Sequence, residues 1–242
     1  MLFHHKQSKI EHLVPNLAIN GNAIDYVTQF NFLGFVIDEN ISFDPHIQSI
    51  SNKVARSLGI LNKLKRFLPH HILLMLYNSL ILPHLQYAIL CWGFKNSRLF
   101  KLQKRAIRII TCSKYNAHTD PLFKKLNLLK ISDLYNISLL KFFHKLRNNK
   151  LPDYFKKNIP CSQNHLRRRG NTPIYRYTRT THAKHSIRNH LPIFLDKLSK
   201  SITDKVHTHS LHGFSLYCKN FYINKYENSC TTRNCYVCSQ PR

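Results

Sequence analysis

Three cysteines near the C-terminus, Cys230-x4-Cys235-x2-Cys238, have a spacing that could grip a metal ion. A Cys-x2-Cys pair holds zinc when two further thiolate or imidazole ligands join it, and Cys218, His207, His209 and His212 are the nearest upstream donors. The second half of a standard site does not occur in the sequence, so unpaired, reduced cysteines are the competing reading. The expectation is either no cofactor or zinc at Cys230, Cys235 and Cys238.

Carboxylates are the other side chains from which catalytic chemistry could be built. Enzymes that polymerise nucleotides hold two metal ions on closely placed acids. Here eleven Asp and Glu are scattered along the chain with no adjacent Asp pair. Asp38 and Glu39 stand in a turn-like stretch, while Asp44 and Asp120 each precede a proline, the pattern of a helix start. No glycine-rich phosphate loop occurs among six glycines, and no Ser or Cys nucleophile stands beside a base in a recognisable setting. No catalytic residue is assigned, and a self-sufficient enzyme is not expected.

The basic side chains carry the strongest signal. Lys and Arg number 37 against 11 Asp and Glu, a formal net charge of +26 with His neutral. A surface of that sign calls for a polyanion, nucleic acid before anionic membrane. The excess is also localised: no Asp or Glu lies between Asp44 and Asp120, while twelve Lys or Arg do. Lys53, Arg56 and Lys63 fall on one face of one predicted helix, and Lys101, Lys104, Arg105 and Arg108 on the outer face of another. A further run, Arg167-Arg168-Arg169, precedes IYRYTRTTHAKH, where tyrosines alternate with basic residues as in segments that stack on unpaired bases. RNA or DNA is the expected partner, met through phosphates and without sequence preference.

The hydrophobic pattern changes period once along the chain. Up to Ile37 it is short and strand-like. Asn20-Gly21-Asn22 is the turn signal of a hairpin joining Leu17–Ile19 to Ala23–Val27, and Phe30–Ile37 reads as one buried strand. From Asp44-Pro45 the apolar residues recur every three or four positions, Ile47, Ile50, Val54, Leu58, Leu61, Leu64 and Leu68, predicting an amphipathic helix stopped by Pro69. Residues 72–94 read as a buried helix plus a second short element. Arg98–Thr111 should bury Leu99, Leu102, Ala106, Ile109 and Ile110. Further helices are predicted at Asp120–Leu128, Ser132–Arg147 and Pro192–Thr203, with an aromatic stripe in GFSLYCKNFYINKY.

The fold class is therefore mainly α, a small N-terminal β-hairpin and strand remnant followed by a helical bundle and a basic, partly irregular C-terminal region. The boundaries fall at 1–40 for the strands, 41–155 for the helical body, 156–190 for a basic arm, and 191–242 for a helix and Cys-containing tail. The N-terminus lacks the pattern of a secretory signal and the seven cysteines are an odd, irregular set, which points to a reducing intracellular compartment, nucleus or cytoplasm. The uncharged stretch Ile72–Phe94 is long enough for a bilayer, but Asn78, Pro83, His84 and Gln86 in its middle argue against a membrane span.

Three runs in order carry a resemblance: FNFLGFVIDENISFDPHIQSISNKVARSLGILNKLKRFLP, then LYNSLILPHLQYAILCWG, then LFKLQKRAIRIITCSKYNAHTDPLFKKLNLLKISDLY. Together they are similar to the C-terminal part of the reverse transcriptase of non-LTR (LINE, jockey-like) retrotransposons. The similarity covers roughly residues 1–155 and, more weakly, SIRNHLP to GFSLYCKNFYINKY. It implies that Phe30–Ile37 ends a palm sheet whose other strands lie upstream of Met1, and that the helices after it form a thumb gripping a template–primer duplex. The A-D-D motif of that family is not in this sequence, so the resemblance brings no catalytic aspartate, and no endonuclease. The implied protein is a truncated, reverse-transcriptase-like nucleic-acid binder that self-associates through its exposed N-terminal strand. The alternative, of another class, is a host helical interaction module with no nucleic-acid role.

The 242-residue chain should incorporate no nucleotide on a primed RNA template with Mg²⁺ or Mn²⁺, since the acids that would hold two metals are absent from it. Primer extension checks this, and incorporation that persists through removal of trace polymerases overturns it.

Overall fold

The computed structural model describes residues 1–4, 17–159, 178 and 181–226. Short antiparallel hairpins lie near the N-terminus and helices follow, so the chain is mainly helical as its pattern predicts. Two compact units divide at 53/54.

In the first unit, β1 (Ala18–Ile19) pairs with β2 (Asn22–Ala23). The two residues between them, Asn20 and Gly21, have φ of 50° and 80°, the left-handed pair of a type I′ hairpin turn. The expected single strand Phe30–Ile37 is instead a second hairpin. Strand β3 (Gln29–Phe32) turns at Leu33-Gly34 and returns as β4 (Phe35–Asp38), with Phe30 opposite Ile37 and Phe32 opposite Phe35. The glycine decides this outcome: Gly34 takes φ of 79° and draws Leu33 to 50°, so the chain reverses inside what reads as an uninterrupted apolar run. Strand β3 is exposed along its length, while β4 is half-buried. Phe30, Phe32 and Leu33 are 52%, 56% and 77% exposed, because a two-stranded ribbon has no further layer to cover its outer strand.

The turn after β4 is fixed by Asp38, whose two carboxylate oxygens accept from the backbone N–H groups of Ser42 and Phe43, each at 3.0 Å. This matches the turn chemistry expected of Asp38 and leads the chain into α1 (Asp44–Leu64), with Asp44 and Pro45 in its first turn. The helix stops at Leu64, before the predicted Pro69. Residues 65–68 turn away through Phe67 and Leu68 N–H groups that both bond Leu64 C=O.

The second unit continues with α2 (His70–Leu80), α3 (Leu82–Gln86), α4 (Ile89–Trp92) and α5 (Ser97–Ile110). Residues 72–94 thus form three helical pieces rather than two elements. Pro83 opens α3 as its second residue, and Ala88 enters the left-handed region at φ 48° before α4. Trp92 locks that corner by donating its indole N–H to Tyr87 C=O at 2.9 Å. After α6 (Asp120–Lys125) comes α7 (Ile131–Arg147), then α8 (Asp153–Asn158), α9 (Thr181–His185), α10 (Ile187–Asp196), α11 (Lys200–Thr203), α12 (Lys205–Thr208) and α13 (Leu211–Asn224). Pro192, expected to start a helix, lies inside α10, which begins five residues earlier at Ile187 and ends at Asp196 short of Thr203. Among the described residues no helix is long and apolar enough to cross a membrane.

Helix α7 is the centre of this unit. It contacts α3, α4, α5, α10, α12 and α13, and its buried residues Ile131, Leu134, Ile137, Leu140 and Phe143 run round more than one face. A helix covered on several sides loses its amphipathic contrast, which is why residues 131–147 look apolar in every direction. Two close fits hold its neighbours. At Gly93, after α4, an added Cβ would come within 2.5 Å of both Ile89 C=O and the Tyr135 ring, so only glycine permits that approach. At the far end, His144 stacks on Phe214 with ring centroids 5.2 Å apart, and its Nε2 lies 2.9 Å from His209 C=O.

The start of α7 is held by groups far off in sequence. Gln103 on α5 is fully buried. Its amide donates to the Tyr77 hydroxyl and to Leu129 C=O, both at 2.9 Å, while its oxygen accepts from Ile131 N–H at 2.8 Å. The first N–H of α7, which no intrahelical carbonyl can serve, is thus satisfied across the core. The amphipathic pattern expects Leu102 in that row; Leu102 is half-buried, and Gln103 takes the interior place. A Gln103→Leu variant keeps the volume but strands three buried polar groups. It should lose about 3 kcal/mol of stability, read as a lower urea midpoint at unchanged m-value; a midpoint within experimental scatter of the parent would refute this role for the amide.

Candidate nucleic-acid interface

Helix α5 buries Leu99, Gln103, Ala106, Ile107, Ile109 and Ile110 and turns the opposite side to solvent. Arg98, Lys101 and Arg105, spaced by three and four residues, are exposed along it. The other two predicted cations are partly committed to the fold. Lys104 is half-buried with its ammonium 4.7 Å from the Phe100 ring centroid. Arg108 donates its Nε–H to Ala117 C=O at 2.9 Å, and burial pulls its guanidinium below the usual range, against a smaller opposing effect of Tyr115. Sequence periodicity puts all four on one polar face; their contacts divide them into an exposed pair, Lys101 and Arg105, and two held in place, Lys104 over Phe100 on the same helix and Arg108 on the following loop.

Carboxylates near this face are few, and those downstream have structural duties. Asp120 pairs with Lys130 at 2.6 Å. Asp133 accepts from the Tyr226 hydroxyl at 2.5 Å, and that same hydroxyl receives Lys130 N–H at 3.0 Å. Burial raises the Asp133 carboxyl, with the Tyr226 bond opposing. Tyr226, beyond the end of α13, thereby ties the C-terminal part of the described chain to the entrance of α7. Nothing in local sequence marks Tyr226 for that role. Among the described residues no ion pair joins Lys101 or Arg105 to an acid.

On α1, Arg56 and Lys63 are exposed, as is Lys53 one turn earlier. The first unit adds an electrostatic detail that sequence reading missed. His46, in the first turn of α1, is buried and its Nδ1 accepts Val36 N–H at 3.3 Å, with the ring 4.1 Å from that of Phe35. Burial, with help from the Lys53 charge, holds the imidazole down to about 4. A predicted β-remnant and a predicted helix thus meet through a neutral histidine.

Arg167, Arg168 and Arg169 lie outside the described residues, as do Cys230, Cys235 and Cys238. Cys218 is buried in α13, and burial pushes its thiol up to about 12, the state of a packed thiol. Among the described residues no three His, Cys, Asp or Glu side chains converge on a metal site.

The chain aligns with the probable RNA-directed DNA polymerase from transposon BS of Drosophila melanogaster, 24% identical over 141 residues, spanning 55% of this chain and 16% of that relative. The relationship is reverse-transcriptase-like. No family model matches the chain, and neither does any solved structure. The match thus concerns a small part of a much longer polymerase.

The His46 environment fixes a pH dependence. Because its folded value of about 4 lies below the ordinary 6.5, the unfolded chain takes up the proton first. Stability is then complete above pH 6.5 and falls as pH drops from there toward 4. Denaturant unfolding at intervals from pH 7 to 4 should show this decline, and a His46→Phe variant should flatten it; an equally steep decline in the variant would assign the effect to other groups.

Proposed function

We propose that this chain serves as a basic helical module that grips the phosphate backbone of a template–primer duplex in a reverse-transcriptase-like protein. In this reading residues 17–40 correspond to the end of the palm, and the helices after them to the thumb, of a non-LTR (LINE, jockey-like) element polymerase. The observation that supports it best is the outer face of α5, where Lys101 and Arg105 stand exposed over a fully buried apolar row, within a segment that has no Asp or Glu from residue 45 to 119. A helix built this way loses little stability by presenting charge and gains a partner wherever phosphates run past it. The RNA-directed DNA polymerase similarity supports the same class of partner.

The chemistry is binding rather than bond-making. The paired aspartates of a polymerase do not occur in these residues, so the module contributes grip, and phosphate contacts give it register on a duplex without reading bases. An intracellular site of action, nucleus or cytoplasm, goes with such a partner. The exposed Phe30 and Phe32 on the outer strand of the β3–β4 hairpin make self-association through that strand part of the same reading. The host interaction module is the outcome to which a failure of the test below would point.

Each phosphate neutralised by Lys or Arg releases condensed counterions, so affinity must fall steeply as salt rises. For four to six contacts the slope of log affinity against log salt on duplex DNA is about −4 to −5. Lys101→Gln with Arg105→Gln changes only exposed side chains, leaves Gln103, Ala106 and Ile107 in place, and should flatten that slope by about two. Fluorescence anisotropy over a salt series measures it. An unchanged slope in the folded double variant would remove α5 from the interface, and no binding at low salt by the parent would favour the interaction module.

A further inference from the structure

An open cleft of about 470 Å³ lies in the second unit beside α7, between α10, the end of α13 and the residues that follow α4. Six rings, those of Phe94, Tyr135, His185, His190, Phe194 and Tyr222, line it together with two lysines, Lys197 and Lys225; no Asp or Glu is among the described residues of its wall. The rings fall into two inclined sets, with the His185 plane 43° from that of His190. The His185 ring lies flat against Phe94, with centroids 4.3 Å apart and planes 5° from parallel. His190 stacks on Phe194 at 6.4 Å and 18°.

Tyr135 braces the ring cluster. Tyr135 is held where Gly93 leaves room for its ring, and its hydroxyl lies 3.1 Å from His190 Nδ1. Burial first, then the charges of His185 and Lys197, keep His190 below the ordinary imidazole range, so it offers a neutral ring face near pH 7. Lys225, which also lines the cleft, holds its ammonium 4.1 Å from the Phe221 ring centroid.

Three ligand classes can be compared on these features. A purely apolar molecule would use the rings but leave two lysines without purpose. An acidic peptide would use the lysines but gain little from the ring faces. A flat heteroaromatic ring joined to a phosphate uses both, and the volume is that of a pocket for one such unit. We propose that this cleft receives one unpaired nucleobase of a single strand, stacked on the near-parallel His190 and Phe194 rings and met at an angle by Phe94, with the adjoining phosphates against Lys197 and Lys225. The inference rests on the nucleic-acid reading above and extends it: α5 meets a duplex through charge alone, whereas the cleft distinguishes a strand that carries bases from one that does not.

That distinction supplies the test. The full chain is titrated with a twelve-residue oligothymidylate and with an abasic phosphodiester of the same length, at one salt concentration, by competition anisotropy. Stacking of even one base gives the thymidylate about a fivefold or greater advantage. Phe94→Leu with Phe194→Leu keeps the cleft apolar but removes two of its flat faces, leaves no parallel partner beside His190, and should bring the two affinities within about twofold of each other. Lys197→Gln with Lys225→Gln should keep the preference and flatten the salt slope on oligothymidylate by about one to two. Equal affinity of the parent for the two strands overturns the proposal, as does a preference that survives loss of both phenylalanines. Duplex binding separates the two readings: if the α5 variant leaves the duplex slope untouched while the thymidylate preference holds, the α5 reading falls and the cleft stands.

Discussion

The amide of Gln103 is the constraint on which the rest of the helical unit depends. A buried amide left unbonded would cost more than most single contacts contribute, so the surrounding backbone must present partners to it. It finds them on three separate segments: the Tyr77 hydroxyl on α2, Leu129 C=O before α7, and Ile131 N–H at the first residue of α7. By fixing those three at once, one side chain sets the approach of α2 and α5 and the point at which the central helix begins. The orientation of α5 follows. With Gln103 turned inward, Lys101 and Arg105 have no direction but outward.

The entrance of α7 is served a second time, from the other end of the chain. Tyr226 passes a hydrogen bond from Lys130 N–H to the Asp133 carboxylate, while the Lys130 ammonium bonds Asp120 and lies 4.4 Å from the Tyr226 ring centroid. Acids are scarce in this protein, and these two are used where an unsatisfied helix start would otherwise be buried. The same economy leaves the α5 face uniformly positive. Fold and candidate function are connected here by charge: carboxylates placed to secure α7 are not available to neutralise α5.

The cleft beside α7 shows the same helix supporting a different chemistry. Its packing at Gly93 and its contact to His190 through Tyr135 hold rings in place without filling the space in front of them. Rigid aromatic faces and lysines at one opening are the combination that single strands use, while a convex, purely basic helix suits a duplex. The two surfaces are thus complementary in what they could hold, and both derive from one buried helix.

What the sequence determined by itself was everything set by local periodicity and composition. The three- and four-residue recurrence from Ile47 to Leu64 and from Leu99 to Ile110 was enough to place α1 and α5 and to name their basic faces, because an amphipathic helix is legible wherever one side is wet. Asn20-Gly21 marked the first hairpin, since a type I′ turn demands residues that tolerate positive φ. Leu33-Gly34 makes the same turn but was hidden within an apolar run, and Pro192 read as a boundary although α10 accommodates it. Only the tertiary structure decided which polar residues belong inside. Gln103 and Tyr226 look like any exposed side chains until partners from distant segments satisfy them, and Arg108 looks like a ligand for phosphate until Ala117 C=O is found beside it. The ring cluster of the cleft could not be read at all, because its members are spread from Phe94 to Tyr222 and meet only when α7 brings their helices together. Periodicity reports one helix at a time, whereas burial of a polar group and convergence of a site are properties of pairs of elements that the local pattern does not encode.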